Sequence, residues 1–152
     1  MKIIDIYGWG LPNQAEFLRH FQGNDAQTKF ARQLWAGLDS CTVWFLITFI
    51  VIAVVMAIVY YGPYNNKPHR HYKIKHWFLW LGIAAAATFV VSMLIGVFGV
   101  NSPMTTYKIP LVLRVSAVNL LYSVGVYFVV SFIVCNIKAL KTNAYRFLKI
   151  GK

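Results

Sequence analysis

The chain has 152 residues, of which 59% are hydrophobic and only 12% are charged, and its formal net charge is +11. A soluble domain is about half apolar and about a quarter charged, so this composition argues against a soluble fold. The basic surplus lies beside apolar segments, where Lys and Arg set membrane topology and meet anionic lipid. This placement argues against nucleic acid as a partner. We predict an all-α membrane protein with three transmembrane helices.

Residues 1–39 are predicted to form an amphipathic, helical N-terminal segment, which carries all four acidic residues of the chain. Pro12 is expected to lie in the first turn of a short helix, and Gly23 with Asn24 is expected to end that helix. Either Asn24 or Asp25 can cap the second helix. The second helix carries an apolar stripe at helical spacing: Phe30, Leu34, Trp35 and Leu38. Such a stripe is typical of a helix lying on the membrane or on a neighbouring span. The alternative is a docking face for a partner protein.

Residues 40–61 are predicted to form the first transmembrane helix. From residue 41 onward this run contains no charged side chain, and it is long enough to cross the ~30 Å hydrocarbon core of a bilayer. Trp44 and Tyr60 near its ends are typical of the aromatic belts at membrane interfaces. Gly62 with Pro63 is expected to stop the helix.

The loop at 62–76 is short and basic, and it contains three of the four histidines. We interpret it as a solvated loop whose cations contact lipid headgroups or a partner: Lys67, Arg70, Lys73 and Lys75. His69 and His71 would point the same way in an extended segment. No Cys, Asp or Glu of the loop completes a four-ligand metal site, so no metal and no other cofactor is predicted. A pH-sensitive contact to a partner is a further alternative for these histidines.

Residues 77–100 are predicted to form the second transmembrane helix, with Trp77 marking the level of the membrane interface. Small residues four positions apart let helix backbones approach closely. Three such pairs predict helix-packing faces: Gly82 with Ala86, Ala84 with Thr88, and Ser92 with Gly96. The alternative for the end of this helix is a hinge formed by Gly96 and Gly99.

After a short loop at 101–109, residues 110–137 are predicted to form the third transmembrane helix. Pro110 is suited to open it, which would place Arg114 about one turn inside. The guanidinium of Arg114 is expected to extend toward lipid headgroups. A pairing with an acid of another chain is the alternative.

Polar side chains recur at three- and four-residue steps along the third span and share one face: Ser116, Asn119, Ser123, Tyr127 and Ser131. A helix surrounded by lipid gains nothing from such a stripe, whereas a helix packed against other helices forms hydrogen bonds through it. We therefore predict that this polar stripe packs within the protein or against a like subunit. The alternative is that it lines an aqueous pore. Asn119 matters most, because a buried amide needs a partner.

The tail at 138–152 is predicted to be a basic amphipathic helix at the membrane surface. Its cations are expected to contact lipid headgroups or a partner: Lys138, Lys141, Arg146 and Lys149. The 62–76 loop and the tail together carry nine Lys and Arg, against four near the opposite span ends. By the positive-inside rule we place the loop and the C-terminus in the cytoplasm and the N-terminus outside. We expect the bacterial inner membrane or an equivalent one.

The spans contain no Asp, Glu, Lys or His, and no known catalytic motif occurs in the chain, so an enzyme and an ion-coupled transporter are both disfavoured. The sequence favours a structural or anchoring subunit of an oligomeric or multi-subunit membrane assembly, for example a secretion or respiratory machine. It would pack through its small and polar helix faces against copies of itself or other membrane subunits. No small-molecule substrate is evident. The alternative function is a homo-oligomeric pore lined by the polar stripe.

Overall fold

The computed structural model describes residues 3–65, 74–137 and 148–150, and no β-strand occurs among them. A short 3-10 helix, Ile3–Tyr7, precedes α1 (Gln14–Arg19), α2 (Asp25–Val59), α3 (Ile74–Gly99) and α4 (Thr105–Asn136). The predicted helical class is confirmed. By length and composition, α2, α3 and α4 are each sufficient to cross a membrane.

The break between α1 and α2 lies where the sequence predicted it. Gly23 has a φ of +107°, a left-handed conformation that favours glycine. The side chain of Asn24 then accepts a hydrogen bond from the backbone N–H of Gln27 at 3.2 Å, which caps α2. At the start of α1 the capping residue is Asn13, whose side-chain oxygen accepts a hydrogen bond from the backbone N–H of Ala15 at 2.9 Å. Pro12 therefore precedes the cap and does not lie in the first turn.

Helix α2 joins two segments that the sequence analysis separated. Its 35 residues run without a break through Asp39 and Ser40, so the boundary predicted between 1–39 and 40–61 lies inside one helix. A single acid and a single serine do not stop a helix, because neither fixes the backbone as proline does. The Ser40 hydroxyl instead donates to the carbonyl of Gly37 at 2.8 Å, a local bond that leaves the helix intact.

Two other helix ends differ from the prediction. Beyond Val59 the chain continues as a π-helical turn, Tyr60–Tyr64, which includes the proline expected to stop it. Helix α4 begins at Thr105, before Pro110, because the carbonyl of Met104 already accepts the N–H of Lys108 at 2.9 Å and closes the first turn. The proline lies early in the helix, where it removes only one backbone hydrogen bond.

The chain divides into two compact units, and α2, α3 and α4 each contribute to both. The first unit is Met1–Thr48 with Phe89–Asn119, and the second is Phe49–Thr88 with Leu120–Lys152. Close helix contacts in the first unit require glycine: a Cβ on Gly37 would lie 2.9 Å from Val100 Cγ1. Each unit also contains one buried, free cysteine, Cys41 in the first and Cys135 in the second.

The core of the second unit is rich in aromatic side chains. It contains Ala53, Ala57, Tyr60, Tyr61, Trp77, Ala84, Tyr127 and Cys135. The small residues of α2 and α3 leave room for the rings, which meet edge to face as aromatic pairs prefer. The Trp77 and Tyr127 ring centroids, for example, are 5.5 Å apart at an interplanar angle of 62°.

Candidate functional site

Asn119 of α4 joins four segments of the first unit and is fully buried. Its Oδ1 accepts a hydrogen bond from the Tyr7 hydroxyl at 2.7 Å. Its Nδ2 donates to Ser92 Oγ at 2.8 Å and to the carbonyl of Phe45 at 3.3 Å. Both amide hydrogens are therefore used, and the partners come from the 3-10 helix, α2 and α3. The structure brings Asn119 and Ser92, both singled out from the sequence, into direct contact.

The stripe residues of the second unit also form hydrogen bonds. Ser123 Oγ accepts from the Thr88 hydroxyl at 3.0 Å, and Ser131 Oγ accepts from Trp77 Nε1 at 3.0 Å. All five stripe residues are buried, because the helical period places them on the one face of α4 that meets other parts of the chain. A side-chain hydrogen bond satisfies a polar group that would otherwise be costly in an apolar setting.

Two stripe residues lack a partner for their hydroxyl groups among the described residues. The Tyr127 hydroxyl and Ser116 Oγ are both buried without a hydrogen bond. Near Tyr127, by contrast, the Tyr61 hydroxyl lies 3.3 Å from Cys135 Sγ, within the range of a weak hydrogen bond. The stripe therefore contains hydroxyl and amide groups with and without hydrogen bonds. Removing a bonded group should lower the stability of the protein, whereas removing an unbonded one should not.

Two of the predicted small-residue pairs of α3 have different surroundings. Ser92 and Gly96 face inward, and a Cβ on Gly96 would clash with both methyl groups of Val112. Gly82 and Ala86 lie on an exposed face, and no atom lies within 4 Å of the position of a Cβ on Gly82. One pair thus packs within this chain, and the other is available to a neighbour. The α3 helix runs without a break through Gly96 to its end at Gly99.

The apolar stripe of the N-terminal segment is mostly covered by the chain itself. Leu34, Trp35 and Leu38 are 0%, 5% and 1% exposed, whereas Phe30 is 36% exposed. The ring of Phe17 in α1 packs edge-on against Trp35 with centroids 6.0 Å apart. Three of the four residues of this stripe are therefore covered within the chain and are not accessible to a partner.

Three of the predicted headgroup cations are described and exposed: Lys75, Arg114 and Lys149. The other six lie outside the described residues, as do two of the loop histidines: Lys67, Arg70, Lys73, Lys138, Lys141, Arg146, His69 and His71. Because α4 begins at Thr105, Arg114 lies more than two turns inside the helix and not one. The predicted tail helix lies mostly outside the described residues. At its end, Ile150 N–H donates to Asn136 Oδ1 at 2.9 Å.

Three partners of the polar stripe were not predicted from the sequence pattern. Tyr7 lies in a segment without a helical pattern, and a backbone carbonyl such as that of Phe45 carries no sequence signal. Trp77 was expected at the level of the membrane interface, and its burial within the chain and its hydrogen bond to Ser131 were not foreseen. One sequence feature could have indicated that Trp77 faces inward. It lies at helical spacing from the small and polar positions of α3, including Thr88, eleven residues further along.

Within the described part of the chain, no group of three or more His, Cys, Asp or Glu side chains is arranged to hold a metal ion. Comparisons with protein-family models, with curated proteins and with solved structures find no match to this chain. The polar stripe and the small residues of α3 join helices through buried hydrogen bonds and close backbone contacts.

Proposed function

We propose that this chain is an integral-membrane structural subunit that anchors a larger membrane assembly. The observation that carries the proposal is which side chains are buried and which are exposed. The polar stripe of α4 is buried, while large apolar side chains such as Trp44 and Phe98, 62% and 80% exposed, lie on the outside. Exposed apolar surface on this scale is unfavourable in water and suits a hydrocarbon surrounding.

The face of α3 that holds Gly82 and Ala86 supports assembly with other subunits. In lipid, helices associate through close packing of small residues, because burial of apolar surface supplies little driving force there. The exposed side chains beside this pair are large, including Phe78 and Ile83. Gly82 therefore forms a notch into which a ridge of another helix fits. The partner is a second copy of the chain or another membrane subunit of, for example, a secretion or respiratory machine.

The charge pattern supports an orientation and a lipid contact. We propose that the 62–76 loop and the C-terminus are cytoplasmic and the N-terminus is outside, in the bacterial inner membrane or an equivalent one. The exposed Lys75 and Lys149 are then available to anionic headgroups on the cytoplasmic side. The role is non-enzymatic and uses helix packing alone, with no nucleic acid, cofactor or small-molecule substrate.

The alternative of a pore lined by the polar stripe fits the geometry less well. A pore lining faces water, whereas Asn119, Ser123 and Ser131 are buried and bonded to other side chains of the same chain. Turning them toward a channel would break these bonds within each subunit. The anchoring role requires no such rearrangement.

A pair of matched variants tests the assembly face. Gly82→Leu fills the notch on α3, and Gly125→Leu makes the same chemical change on an exposed face of α4, where likewise no atom lies within 4 Å of a Cβ position. We expect Gly82→Leu to release the partner on purification in a mild detergent, while Gly125→Leu retains it. Retention of the partner by Gly82→Leu would contradict the assignment of this face.

A further inference from the structure

A groove in the first unit combines an apolar aromatic wall with Arg114, whose side chain has no partner among the described residues. It encloses about 470 Å³ between α1 and the first three turns of α4. The lining residues that matter here are Phe17 on α1, His20 and Phe21 directly after α1, and Tyr107, Leu111 and Arg114 on α4. This volume falls within the range of about 300–1,000 Å³ that is typical of sites for small molecules.

The aromatic wall of the groove is fixed by mutual packing. The ring of Tyr107 meets Phe21 at 5.2 Å and 90°, and Phe17 at 6.0 Å and 80°. Phe17 and Phe21 are themselves 5.2 Å apart and buried. With the buried Leu111 they form a preformed apolar surface, so a hydrocarbon chain that lies against it meets side chains that are already ordered.

Arg114 is the cation of this groove that has no partner among the described residues. It is exposed and makes no ion pair or hydrogen bond with any described residue. The other cation of α4, Lys108, donates to the carbonyl of Val97 at 2.6 Å and is thereby held. Tyr107, Leu111 and Arg114 lie on one face of α4 at helical spacing, so the guanidinium and the apolar wall can contact the same ligand.

We propose that this groove is a binding site for one anionic phospholipid. The phosphate is bound by the guanidinium of Arg114, which forms paired hydrogen bonds to phosphate oxygens, with His20 as a second donor. An acyl chain lies against the rings of Phe17, Phe21 and Tyr107. The occupant is a lipid and not a free phosphate, because the apolar wall is useful only to a ligand with a hydrocarbon part. The inference rests on the proposed membrane location of the chain.

The test measures lipid binding to the purified full chain in detergent. Native mass spectrometry gives the fraction of protein that retains dioleoyl phosphatidylglycerol or dioleoyl phosphatidylcholine at equal lipid concentration. We expect roughly three- to tenfold stronger retention of phosphatidylglycerol, the range for a partly solvated charge-assisted contact. Arg114→Gln should reduce its retention to the phosphatidylcholine level. Arg32→Gln removes an equal charge from an exposed site on α2 and should leave the preference unchanged.

Tyr107→Ala provides a second variant at a half-exposed position, and it should weaken retention of both lipids by removing the apolar wall. Equal binding of the two lipids by the wild type, an unchanged preference in Arg114→Gln, or an equal loss in Arg32→Gln would overturn the site. This measurement does not depend on the assembly of subunits. A monomeric chain that prefers phosphatidylglycerol would contradict the anchoring role and keep the site, and a stable complex without lipid preference would do the reverse.

Discussion

The hydroxyl of Tyr7 lies 2.7 Å from Oδ1 of Asn119, although 112 residues separate the two along the chain. Both side chains are fully buried in the first unit. A bond of this kind forms only when the 3-10 helix at the N-terminus is packed against α4. The N-terminal segment is therefore a part of the core of that unit, and Asn119 is the residue that fastens it.

Removing the hydroxyl of Tyr7 should destabilise the protein, while removing that of Tyr127 should not. Tyr7→Phe leaves Asn119 Oδ1 buried without its donor, and we expect a loss of about 1–2 kcal/mol in the free energy of unfolding. Tyr127→Phe deletes a hydroxyl that has no hydrogen-bond partner among the described residues. It should be neutral or stabilising. Denaturant titration in detergent micelles, followed by circular dichroism, compares the two. Equal losses would contradict the bonding pattern.

Replacing Asn119 with leucine should have a larger effect than either tyrosine change. It removes three hydrogen bonds at once, each worth about 0.6–1.7 kcal/mol in a membrane protein, so we expect a loss of roughly 2–4 kcal/mol. Asn101→Leu is the matched control, since Asn101 is exposed in the short loop before α4. The same variants separate the two functions. An anchor should lose stability and assembly with Asn119→Leu, whereas a pore should stay assembled and lose ion conductance in liposomes.

The Thr88–Ser123 pair should show energetic coupling in the second unit. Thr88→Val and Ser123→Ala each remove one side of the same 3.0 Å hydrogen bond. The double variant should therefore be less destabilised than the sum of the single variants, by about 0.6–1.7 kcal/mol. Unfolding free energies of the four proteins in one detergent measure this coupling. Strict additivity would show that the two hydroxyls do not interact.

Gly82 and Gly96 of α3 should respond oppositely to the same substitution. Gly96→Ala drives a methyl group into Val112 and should cost about 1–3 kcal/mol, part of which Val112→Ala should restore. Gly82→Ala meets open space and should be neutral, or stabilising by up to about 1 kcal/mol from helix propensity alone. Thermal unfolding in detergent measures both. A destabilised Gly82→Ala monomer would contradict the open face seen here.

The helical spans were predictable because long apolar runs and turn residues carry local signals. The helix break at Gly23 and a cap at Asn24 or Asp25 were likewise predictable, since both follow from local backbone chemistry, and the structure shows Asn24 as the cap. The continuity of α2 was not, because Asp39 and Ser40 resemble a boundary in composition without breaking a helix. Local pattern reports which residue types favour a helix, and it does not report where two predicted helices become one.

The polar stripe illustrates what sequence leaves open about a site. Helical spacing correctly placed Ser116, Asn119, Ser123, Tyr127 and Ser131 on one face, which is a geometric property of a single helix. Their partners depend on packing between distant segments, and Tyr7 gave no sign of its role. The same holds for the apolar stripe of the N-terminal segment, since a pattern identifies an apolar face but not what covers it.

The most direct test of the central claim is the mass of the native particle. The full chain would be extracted from its own membrane in a mild detergent, its mass determined, and every co-purifying protein identified. An anchoring subunit predicts one discrete complex that contains other membrane proteins together with this chain. A monodisperse monomer without partners would contradict the claim.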